Sequence, residues 1–594
     1  MSNVNPSCVR AIKVTIKQLK IESEKDPQDN HAIHELYLDL QAICQFGFLE
    51  DVENKDFYKK YSDYVKEIAL NRVVDDPEHA EIWRKLYWDT VKLESYWFFE
   101  SYLIYMEHKR PYERRFYEPR KKTQHIVVDD LQNLEDSKTI RMYTLSEPAR
   151  IGKSGMILFF LSWVILRHPH SHNAMGTYSG PAAKHFYDEF LKIVTEDEYC
   201  YQELYTYCHP DEKFITDKSA EMMSISFTGT ESFPSICFRG IDGSWTGIVD
   251  ISDDGYLAVD DLIRDREHAL STFRMDKTFF EYTNKMVDRK HQNSKELMIG
   301  TLWNVDDPIM RMEKLHKDDE NYITRKIPAL NENDESNFDY EYNGYSTEYY
   351  HKLRDDMIAG GMEADWRAKF QQAPYRREGL LFDYNEIRWF NGVLPSTKEL
   401  NYIAVCDVAL GGGDSVSMPI GLQDQESREI YIVDWYFSSA GIKETVPGVV
   451  SMLIKYGIME ITFEKNASGL LYSQKIQEEL RNRNYICACN TKNAPNRMSK
   501  KDKIMGCEGE VKSLILFLEN VRHTADEIEN NPDMLFFNRT SQYTKAINEL
   551  TDFVTLGENP HDDAADSIAQ LVLKAFNPFG NKSVQLIDRN YIGF

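Results

Sequence analysis

The segment EPARIGKS, residues 147–154, runs directly into the apolar segment MILFFLSWVIL, residues 156–166. A turn that ends in Gly-Lys-Ser before a helix is typical of a phosphate-binding loop, where backbone N–H groups and the helix N-terminus face phosphate oxygens. In such a loop Lys153 reaches the β- and γ-phosphates and the Ser154 hydroxyl binds Mg²⁺. The full pattern is G-x-x-x-x-G-K-[ST]. This chain has Glu147 at the first glycine position, so the match is partial.

A second segment, YLAVDDLI at residues 256–263, predicts a strand that ends in two carboxylates. In nucleotide-hydrolysing enzymes with a phosphate loop, such a strand brings one Asp to Mg²⁺, and the next acid orients the attacking water. We therefore predict Asp260 beside the metal and Asp261 beside the water. Because Asp is one methylene shorter than the Glu often used there, Glu267 is a second candidate. The alternative is a strand that ends in a solvated turn.

Three further residues are candidate contacts of a nucleotide. Arg150 lies within the loop, where it can reach the γ-phosphate or sense the nucleotide state. Thr301 lies at the tip of a predicted strand in IGTLWNVDDP, residues 299–308, where it can respond to the γ-phosphate. Gln124 is a candidate contact of adenine. Each of these residues alone also fits an ordinary surface or turn position.

The C-terminal half has acids at the ends of three predicted elements. Asp407 ends the strand YIAVCDVAL, Glu464 ends ITFEK, and HDDAAD opens the last predicted helix. Carboxylates from distant segments at one end of a sheet can hold two divalent ions about 3.5–4 Å apart, which activate water against a phosphodiester. Hard carboxylate ligands favour Mg²⁺ or Mn²⁺. The candidate ligands are Asp407, Asp414, Glu464, Asp562, Asp563 and Asp566.

For this second site the sequence leaves two questions open. Asp562 and Asp563 are adjacent, and either can be the metal ligand. Asp562 and Asp566 share one helix face, where their charges also suit the helix dipole. Taken singly, each acid also fits a helix cap or a surface charge. The joint pattern therefore supports the nuclease interpretation better than any one residue does.

Length and composition limit the possible classes of protein. A chain of 594 residues is long enough for two or three domains with separate cores. No segment reaches the ~18 apolar residues of a membrane span, so we expect no membrane partner. Nine cysteines without CxxC pairs predict reduced thiols. The net charge of −26 argues against passive coating of nucleic acid, although local basic clusters occur near residues 109–122 and 492–503.

Hydrophobic periodicity divides the chain into regions of different texture. Apolar residues at helical spacing predict an α-helical N-terminal region, and later segments alternate strands with helices, as in parallel sheets covered on both faces. A polar stretch at 316–350 predicts a surface connection. The predicted regions are 1–120 (α-helical), 121–375 (ATPase), 376–395 (linker) and 396–594 (nuclease).

In this order, the segments resemble the large subunit of a tailed-phage or prophage terminase. The resemblance covers residues from about 80 to 575. Two stretches outside the sites also match: the lead-in RRFYEPRKK and the link FQQAPYRREGLLF. The segments that carry the resemblance are SEPARIGKS, YLAVDDLIRDREHALS, IGTLWNVDD, CDVAL, FEKNASG and HDDAADSIA.

The resemblance implies an α/β fold with two catalytic domains after the helical region. It implies a P-loop ATPase domain of the ASCE/RecA-like class, followed by a ribonuclease-H-like nuclease domain. In this family the loop often reads Pro-Pro-Arg-x-Gly-Lys-Ser and lacks the first glycine. Pro148, Arg150 and Gly152 then join Lys153 in binding ATP, and Ala149 replaces the second proline.

The resemblance also implies partners and a place of action. Terminase large subunits form a ring on the portal protein of a procapsid and pump double-stranded DNA inward with ATP. They cut the concatemeric genome, and a small terminase subunit usually selects the DNA. The implied location is the host-cell cytoplasm, without retention in the mature virion.

Two other functions stay open at this point. A cellular ATP-dependent nuclease or helicase of repair or restriction also joins the two kinds of site. A helicase would show a second RecA-like domain, and residues 307–402 contain no such pattern. A structural packaging component with inactive sites is the third possibility, and the intact Lys153, Asp260, Asp407 and Glu464 argue against it.

Overall fold

The chain folds into two compact units in a computed structural model. Unit 1 comprises residues 1–354 and 364–375, and unit 2 comprises residues 355–363 and 376–594. None of the helices within the described ranges combines the length and apolar character that crossing a bilayer requires. The structure describes residues 6–26, 30–45, 49, 51–219, 222–227, 232–342, 344–375, 379–396, 399–408, 415–464, 467–492, 499–555, 559 and 561–576.

Unit 1 begins with helices, which confirms the predicted α-helical N-terminal region. Their bounds are α1 Pro6–Lys25, α2 Asn30–Gln45, α3 Val52–Asp75, α4 Ala80–Glu94 and α5 Phe99–Met106. The carboxylate of Asp51 accepts the N–H of Glu53 and caps α3. Trp83 and Leu86 of α4 join a separate apolar core with residues of α1 to α3. This core forms because the apolar positions recur at helical spacing.

The remainder of unit 1 is a sheet with helices packed around it. The described residues form an eight-stranded sheet in the order β3-β4-β5-β2-β6-β7-β1-β8. Its strands are β1 Met142–Ser146, β2 Asn173–Thr177, β3 Asp217–Ser219, β4 Ser224–Ser226, β5 Ile236–Gly240, β6 Tyr256–Asp260, β7 Lys295–Gly300 and β8 Tyr322–Lys326. The helices are α6 Lys121–Asp136, α7 Lys153–Arg167, α8 Gly180–Thr195, α9 Tyr201–Cys208, α10 Arg266–Leu270, α11 Thr272–Glu281, α12 Pro308–Leu315, α13 Thr347–Ala359 and α14 Glu363–Lys369.

The strand order explains where a site can form. In the sheet, the six neighbouring strands β5-β2-β6-β7-β1-β8 are parallel, and β7 lies between β6 and β1. Because the carboxyl ends of parallel strands meet at one edge, the segments after β1, β6 and β7 converge there. One expectation was wrong: β8 lies within the stretch predicted as a surface connection. Its alternating polar residues are only half-buried, as suits an edge strand, and give no strong apolar signal.

Unit 2 contains a second sheet. The described residues give a seven-stranded sheet in the order β15-β14-β11-β12-β13-β16-β9, and β10 pairs separately with β17. The strands are β9 Arg388–Phe390, β10 Val393–Pro395, β11 Leu400–Cys406, β12 Val416–Asp424, β13 Ile430–Ser438, β14 Glu460–Glu464, β15 Ala488–Lys492, β16 Ile515–Leu518 and β17 Met534–Phe536. The helices are α15 Ile442–Lys455, α16 Ala467–Asn482, α17 Lys500–Gly506, α18 Glu508–Leu514, α19 Ala525–Glu529, α20 Ser541–Asp552 and α21 Asp563–Phe576.

The sheet of unit 2 is mixed, with antiparallel and parallel strand pairs. The strands β11, β12 and β13 form an antiparallel meander, and β14 and β15 continue the sheet in parallel on the other side of β11. Helix α21 packs against β11 and β12. The predicted fold class, α/β with a helical N-terminal region, is therefore confirmed. The range predicted as a linker, 376–395, contains β9 and β10, and β9 pairs with β16 in this sheet.

Candidate functional site

The loop between β1 and α7 has the backbone of a phosphate-binding turn. Gly152 precedes α7 with φ +117°, a conformation that strains any residue with a Cβ. A Cβ at Gly152 or Gly155 would lie 3.0 Å from Cε2 of Phe116. Phe116 belongs to the lead-in RRFYEPRKK, so this segment covers one side of the loop. Gly152 is therefore favoured by both its backbone geometry and the close aromatic ring, and Gly155 by the aromatic ring alone.

Lys153 connects the loop to the ends of the two neighbouring strands. Its side chain is buried, and Nζ donates a hydrogen bond of 2.8 Å to Oγ1 of Thr301. The same Nζ lies 4.0 Å from Oδ2 of Asp261. The backbone N–H of Thr301 donates to Oδ1 of Asp261 at 2.8 Å. Three segments that are distant in sequence thus meet around one ammonium group.

Asp260 and Ser154 form the part of this site that fits a metal ion. Asp260 is 1% exposed and accepts a hydrogen bond from the Ser154 hydroxyl. Burial and the neighbouring Asp261 raise the pKa of Asp260 to about 7. Its Oδ1 is buried and has no hydrogen-bond partner among the described residues. A carboxylate oxygen and a hydroxyl side by side are the hard ligands that Mg²⁺ prefers.

The other predicted nucleotide contacts lie at different depths. Arg150 is exposed with φ +69°, whereas Pro148 is buried. Gln124 is also buried, and its amide N–H groups donate hydrogen bonds to Glu147 and Tyr340. Glu267 is buried in the first turn of α10. Roles in γ-phosphate sensing, adenine binding and water orientation stay predictions for these residues.

Sequence reasoning missed the contacts that α14 and the residues after it make with this site. The Ser146 hydroxyl, at the end of β1, donates to Oε1 of the buried Gln372. Nζ of Lys369 lies 4.0 Å from the ring centroid of Trp303, two residues beyond Thr301. Asp365 accepts from Nε of Arg266 at 3.1 Å. The segment therefore contacts the residues that follow β1, β6 and β7, which no local pattern indicates.

The acids of unit 2 surround a lysine. Asp407 follows β11, and Asp563 and Asp566 lie in the first turn of α21. Nζ of Lys500 donates to Oδ1 of Asp562 at 2.6 Å. It lies 3.8 Å from Asp407, 3.8 Å from Asp563 and 3.6 Å from Asp566. Four of the six predicted acids are thus brought together, and a cationic side chain is at their centre.

Two predicted ligands of this site are described only in part or not at all. In the parallel pairing of β11 with β14, Cys406 lies opposite Phe463. Asp407 and Glu464 are the next residues on these two strands, so their backbones are neighbours. The side chain of Glu464 and the whole of Asp414 lie outside the described residues. Within the part of the chain that is described, no group of three or more acidic, His or Cys side chains is arranged to hold a metal ion.

The positive charges of two lysines balance the negative charges of the acids in this cluster. Burial and the nearby Asp566 raise the pKa of Asp407 to about 7. Lys503 is buried and pairs with Asp566, and the carboxylates around Lys500 raise the pKa of its ammonium. Both lysines were identified in the sequence only as part of a basic cluster. Their i, i+3 spacing on α17 puts them on one helix face, a signal that could have suggested a shared partner.

These two sites define a class of protein. Unit 1 has a lysine, a serine and a pair of carboxylates together at one edge of a parallel sheet, beside the predicted phosphate loop. Unit 2 has a mixed sheet, and carboxylates from two segments, the end of β11 and the start of α21, lie at one place. The chain is therefore an α/β protein with a candidate nucleotide site in unit 1 and a separate acidic cluster in unit 2.

Among solved structures, phage large terminases are similar to parts of this chain. The HK97 bacteriophage large terminase is 10% identical, with 65% of this chain and 84% of that chain covered and a TM-score of 0.31. The large terminase of a thermophilic bacteriophage, in complex with ATP-gamma-S, is 11% identical, with 76% and 98% covered and a TM-score of 0.28. The P22 large terminase nuclease domain is 9% identical, with 33% and 93% covered and a TM-score of 0.22.

No protein-family model and no curated protein matches the chain. Since identities are near 10% and the TM-scores are below 0.5, we assign function from the geometry of the two sites.

Proposed function

We propose that this chain is a DNA-packaging motor subunit that hydrolyses ATP in unit 1 and cuts DNA in unit 2. The observation that supports the proposal most is the Lys153–Thr301–Asp261 cluster at the carboxyl edge of the parallel sheet. It combines a phosphate-binding lysine, a residue after the neighbouring strand and an acid for water. Burial of a lysine ammonium costs free energy, and a structural role alone would not require a lysine at this place.

In unit 1 the residues divide the work of phosphoryl transfer. Ser154 and Asp260 would hold Mg²⁺, which supplies positive charge to the phosphates. Backbone N–H groups of the loop and of the α7 N-terminus bind phosphate oxygens. Lys153 neutralises charge on the transferred group. Asp261, or alternatively Glu267, orients the attacking water, and Arg150 and Thr301 respond to the γ-phosphate.

In unit 2 the residues form a centre for phosphodiester cleavage. The carboxylates of Asp407, Asp563 and Asp566 are hard donors that converge on the Lys500 ammonium, which a divalent cation would have to displace. Two ions held by these acids, with Glu464 and Asp562 or Asp414 as further ligands, would supply an activated water and charge for the leaving oxygen. Once metal displaces it from the carboxylates, Lys500 would be free to contact a DNA phosphate.

The partners follow from the same proposal. ATP, Mg²⁺ or Mn²⁺ and double-stranded DNA are the ligands. A portal protein, a small terminase subunit and further copies of this chain in a ring are the protein partners, in the cytoplasm of an infected host. A cellular ATP-dependent nuclease would use the same two sites without the portal.

The test separates the two activities with one substitution in each unit. Lys153→Ala should abolish ATP turnover and leave metal-dependent plasmid cleavage, because the lost ammonium contacts phosphate only in unit 1. Asp407→Ala should abolish cleavage and leave ATP turnover. The exposed Lys122→Ala and Asp526→Ala are matched controls that should retain both activities.

Each outcome decides one assignment. ATP turnover that persists in Lys153→Ala would overturn the assignment of the phosphate loop. Cleavage by Asp407→Ala at the parent rate would overturn the nuclease assignment. The packaging role requires in addition that the purified chain binds portal-bearing procapsids, and no binding there would favour the cellular nuclease.

A further inference from the structure

Glu147 has a hydrogen-bond partner behind the phosphate loop. Its side chain is fully buried at the position where the loop pattern has glycine. Gln124, from α6, is 1% exposed, and its Nε2 donates to Oε1 of Glu147 at 3.0 Å. The same Nε2 lies 3.3 Å from the hydroxyl of Tyr340. A carboxyl group and an amide therefore face each other away from solvent.

Two oxygens of this pair have no donor. Oε1 of Gln124 and Oε2 of Glu147 are both buried, and neither has a hydrogen-bond partner among the described residues. Two buried acceptors without a donor destabilise a folded state, and an ionised carboxylate does so more strongly. A proton on Oε2 of Glu147 provides the missing donor. Acid and amide can then form two hydrogen bonds, N–H to the acid carbonyl and O–H to the amide carbonyl.

The surroundings favour the neutral form of this carboxyl group. Burial raises the pKa of Glu147 to about 7, although the Gln124 hydrogen bond and the Lys153 charge lower it. The Lys153 ammonium is engaged by Thr301 and faces Asp261. The charged and titratable groups that act on the pair, by element, are Tyr143 of β1, Lys153 of α7, Tyr340, Tyr350 of α13, and Arg120, which stacks over Tyr340.

We propose that Glu147 is a positioning residue of the ATP site that works in its protonated form, held by Gln124 in an acid–amide pair. This inference rests on the proposed ATPase activity. The neutral pair fixes the start of the loop, where the carbonyl of Glu147 accepts from the Thr301 hydroxyl at 3.4 Å. It also leaves the Lys153 charge for phosphate. An ionised Glu147 would repel the triphosphate and attract Lys153.

The variant Glu147→Gln tests the proposal because its amide reproduces the protonated pair at every pH. We would measure kcat and KM for ATP from about pH 6 to about pH 9. In the parent, KM should rise as Glu147 loses its proton, by up to roughly tenfold per pH unit above the pKa. In Glu147→Gln, this rise of KM should be absent, and only the pH dependence that comes from Asp260, which both proteins share, should remain. Gln124→Ala should raise KM at all pH values.

Two controls distinguish this proposal from general damage. The exposed Glu113→Gln removes a carboxylate elsewhere and should keep the pH profile of the parent. Infrared difference spectra between the parent and Glu147→Gln should contain the carbonyl band of a protonated carboxylic acid at about pH 6 and lose it at high pH.

Either of two results would overturn the proposal. The first is a KM of Glu147→Gln that rises with pH as steeply as that of the parent. The second is the absence of the acid carbonyl band at low pH. If no variant hydrolyses ATP, the proposed function fails, while the infrared band still decides whether Glu147 carries a proton.

Discussion

At the scale of single residues, Lys500 and a divalent ion compete for the same oxygens. Nζ of Lys500 lies within 4 Å of four carboxylates, of which all but Asp562 are buried. Buried acids without a cation nearby would be destabilised strongly, so the lysine stabilises the centre when no metal is present. The same contact must weaken metal binding.

We therefore predict that Lys500→Ala binds Mn²⁺ more tightly than the parent does, by about tenfold, since one competing charge contact is worth roughly 1–2 kcal/mol. Isothermal titration calorimetry measures the affinity directly. The exposed Lys545→Ala in the same unit is the control and should bind as the parent does. Weaker Mn²⁺ binding by Lys500→Ala would contradict the competition and assign the lysine a supporting role in holding metal.

Gly152 is the second residue whose local geometry permits a clear expectation. At φ +117° with an aromatic carbon 3.0 Å from any added Cβ, Gly152→Ala should strain the loop by about 1–2 kcal/mol or more. ATP turnover should fall at least tenfold, measured by phosphate release. Gly180→Ala is the matched control in the same unit because nothing lies within 4 Å of its added Cβ. Full turnover by Gly152→Ala would mean that the loop adopts another conformation when it binds ATP.

At the scale of elements, α14 and the residues after it support three parts of the ATP site at once. The backbone of Gln372 has φ +54°, and its buried side chain accepts from Ser146 next to the loop. Lys369 stacks on Trp303, and Asp365 pairs with Arg266. The short helix and the residues after it together contact all three segments, so they can hold the relative positions of these segments.

We expect Gln372→Asn to reduce the stability of unit 1 by about 1–3 kcal/mol, because the shorter side chain cannot reach the buried Ser146 hydroxyl. Asn tolerates the left-handed backbone, so the change tests the hydrogen bond alone. Thermal unfolding followed by circular dichroism measures the effect, with the half-buried Gln371→Asn as control. Equal melting temperatures for the two variants would exclude a stabilising role for this contact.

At the scale of the whole molecule, unit 1 contains a buried network that links its helices to its sheet. Glu135 of α6 accepts from Tyr256 of β6 at 2.7 Å and pairs with Arg167 and His168. Burial alone would raise the pKa of Glu135, but His168, Arg167 and Lys295 lower it to about 2. The carboxylate therefore stabilises the fold when ionised.

This network predicts how stability depends on pH. Because the pKa of Glu135 in the folded state lies below its ordinary value of 4.5, the stabilisation is complete above pH 4.5. It is lost as pH falls towards 2, and the total is about 3 kcal/mol. Denaturant titrations at several pH values should show a smaller decline for Glu135→Gln than for the parent. A parallel decline in both proteins would assign acid sensitivity to other groups.

The sequence by itself determined the fold class and which segments are candidates for the chemistry. In each candidate segment, polar residues lie next to an apolar run, as in EPARIGKS, YLAVDDLI and the three acidic segments. This pattern involves only neighbouring residues, so it can be recognised without coordinates. Strand–helix alternation likewise predicted two α/β regions after a helical one. The sequence did not predict the polar edge strand β8, because neither of its faces is fully buried and its residues therefore show no apolar alternation.

Only the tertiary structure decided which distant side chains share charge and hydrogen bonds. The pairing of Gln124 with Glu147, the contact of Gln372 with Ser146 and the position of Lys500 among four acids join residues far apart in the chain. These contacts depend on how elements pack, and packing leaves no fixed spacing in the sequence. The glutamate at the first glycine position has a physical explanation only in the folded protein, where a buried amide lies beside it.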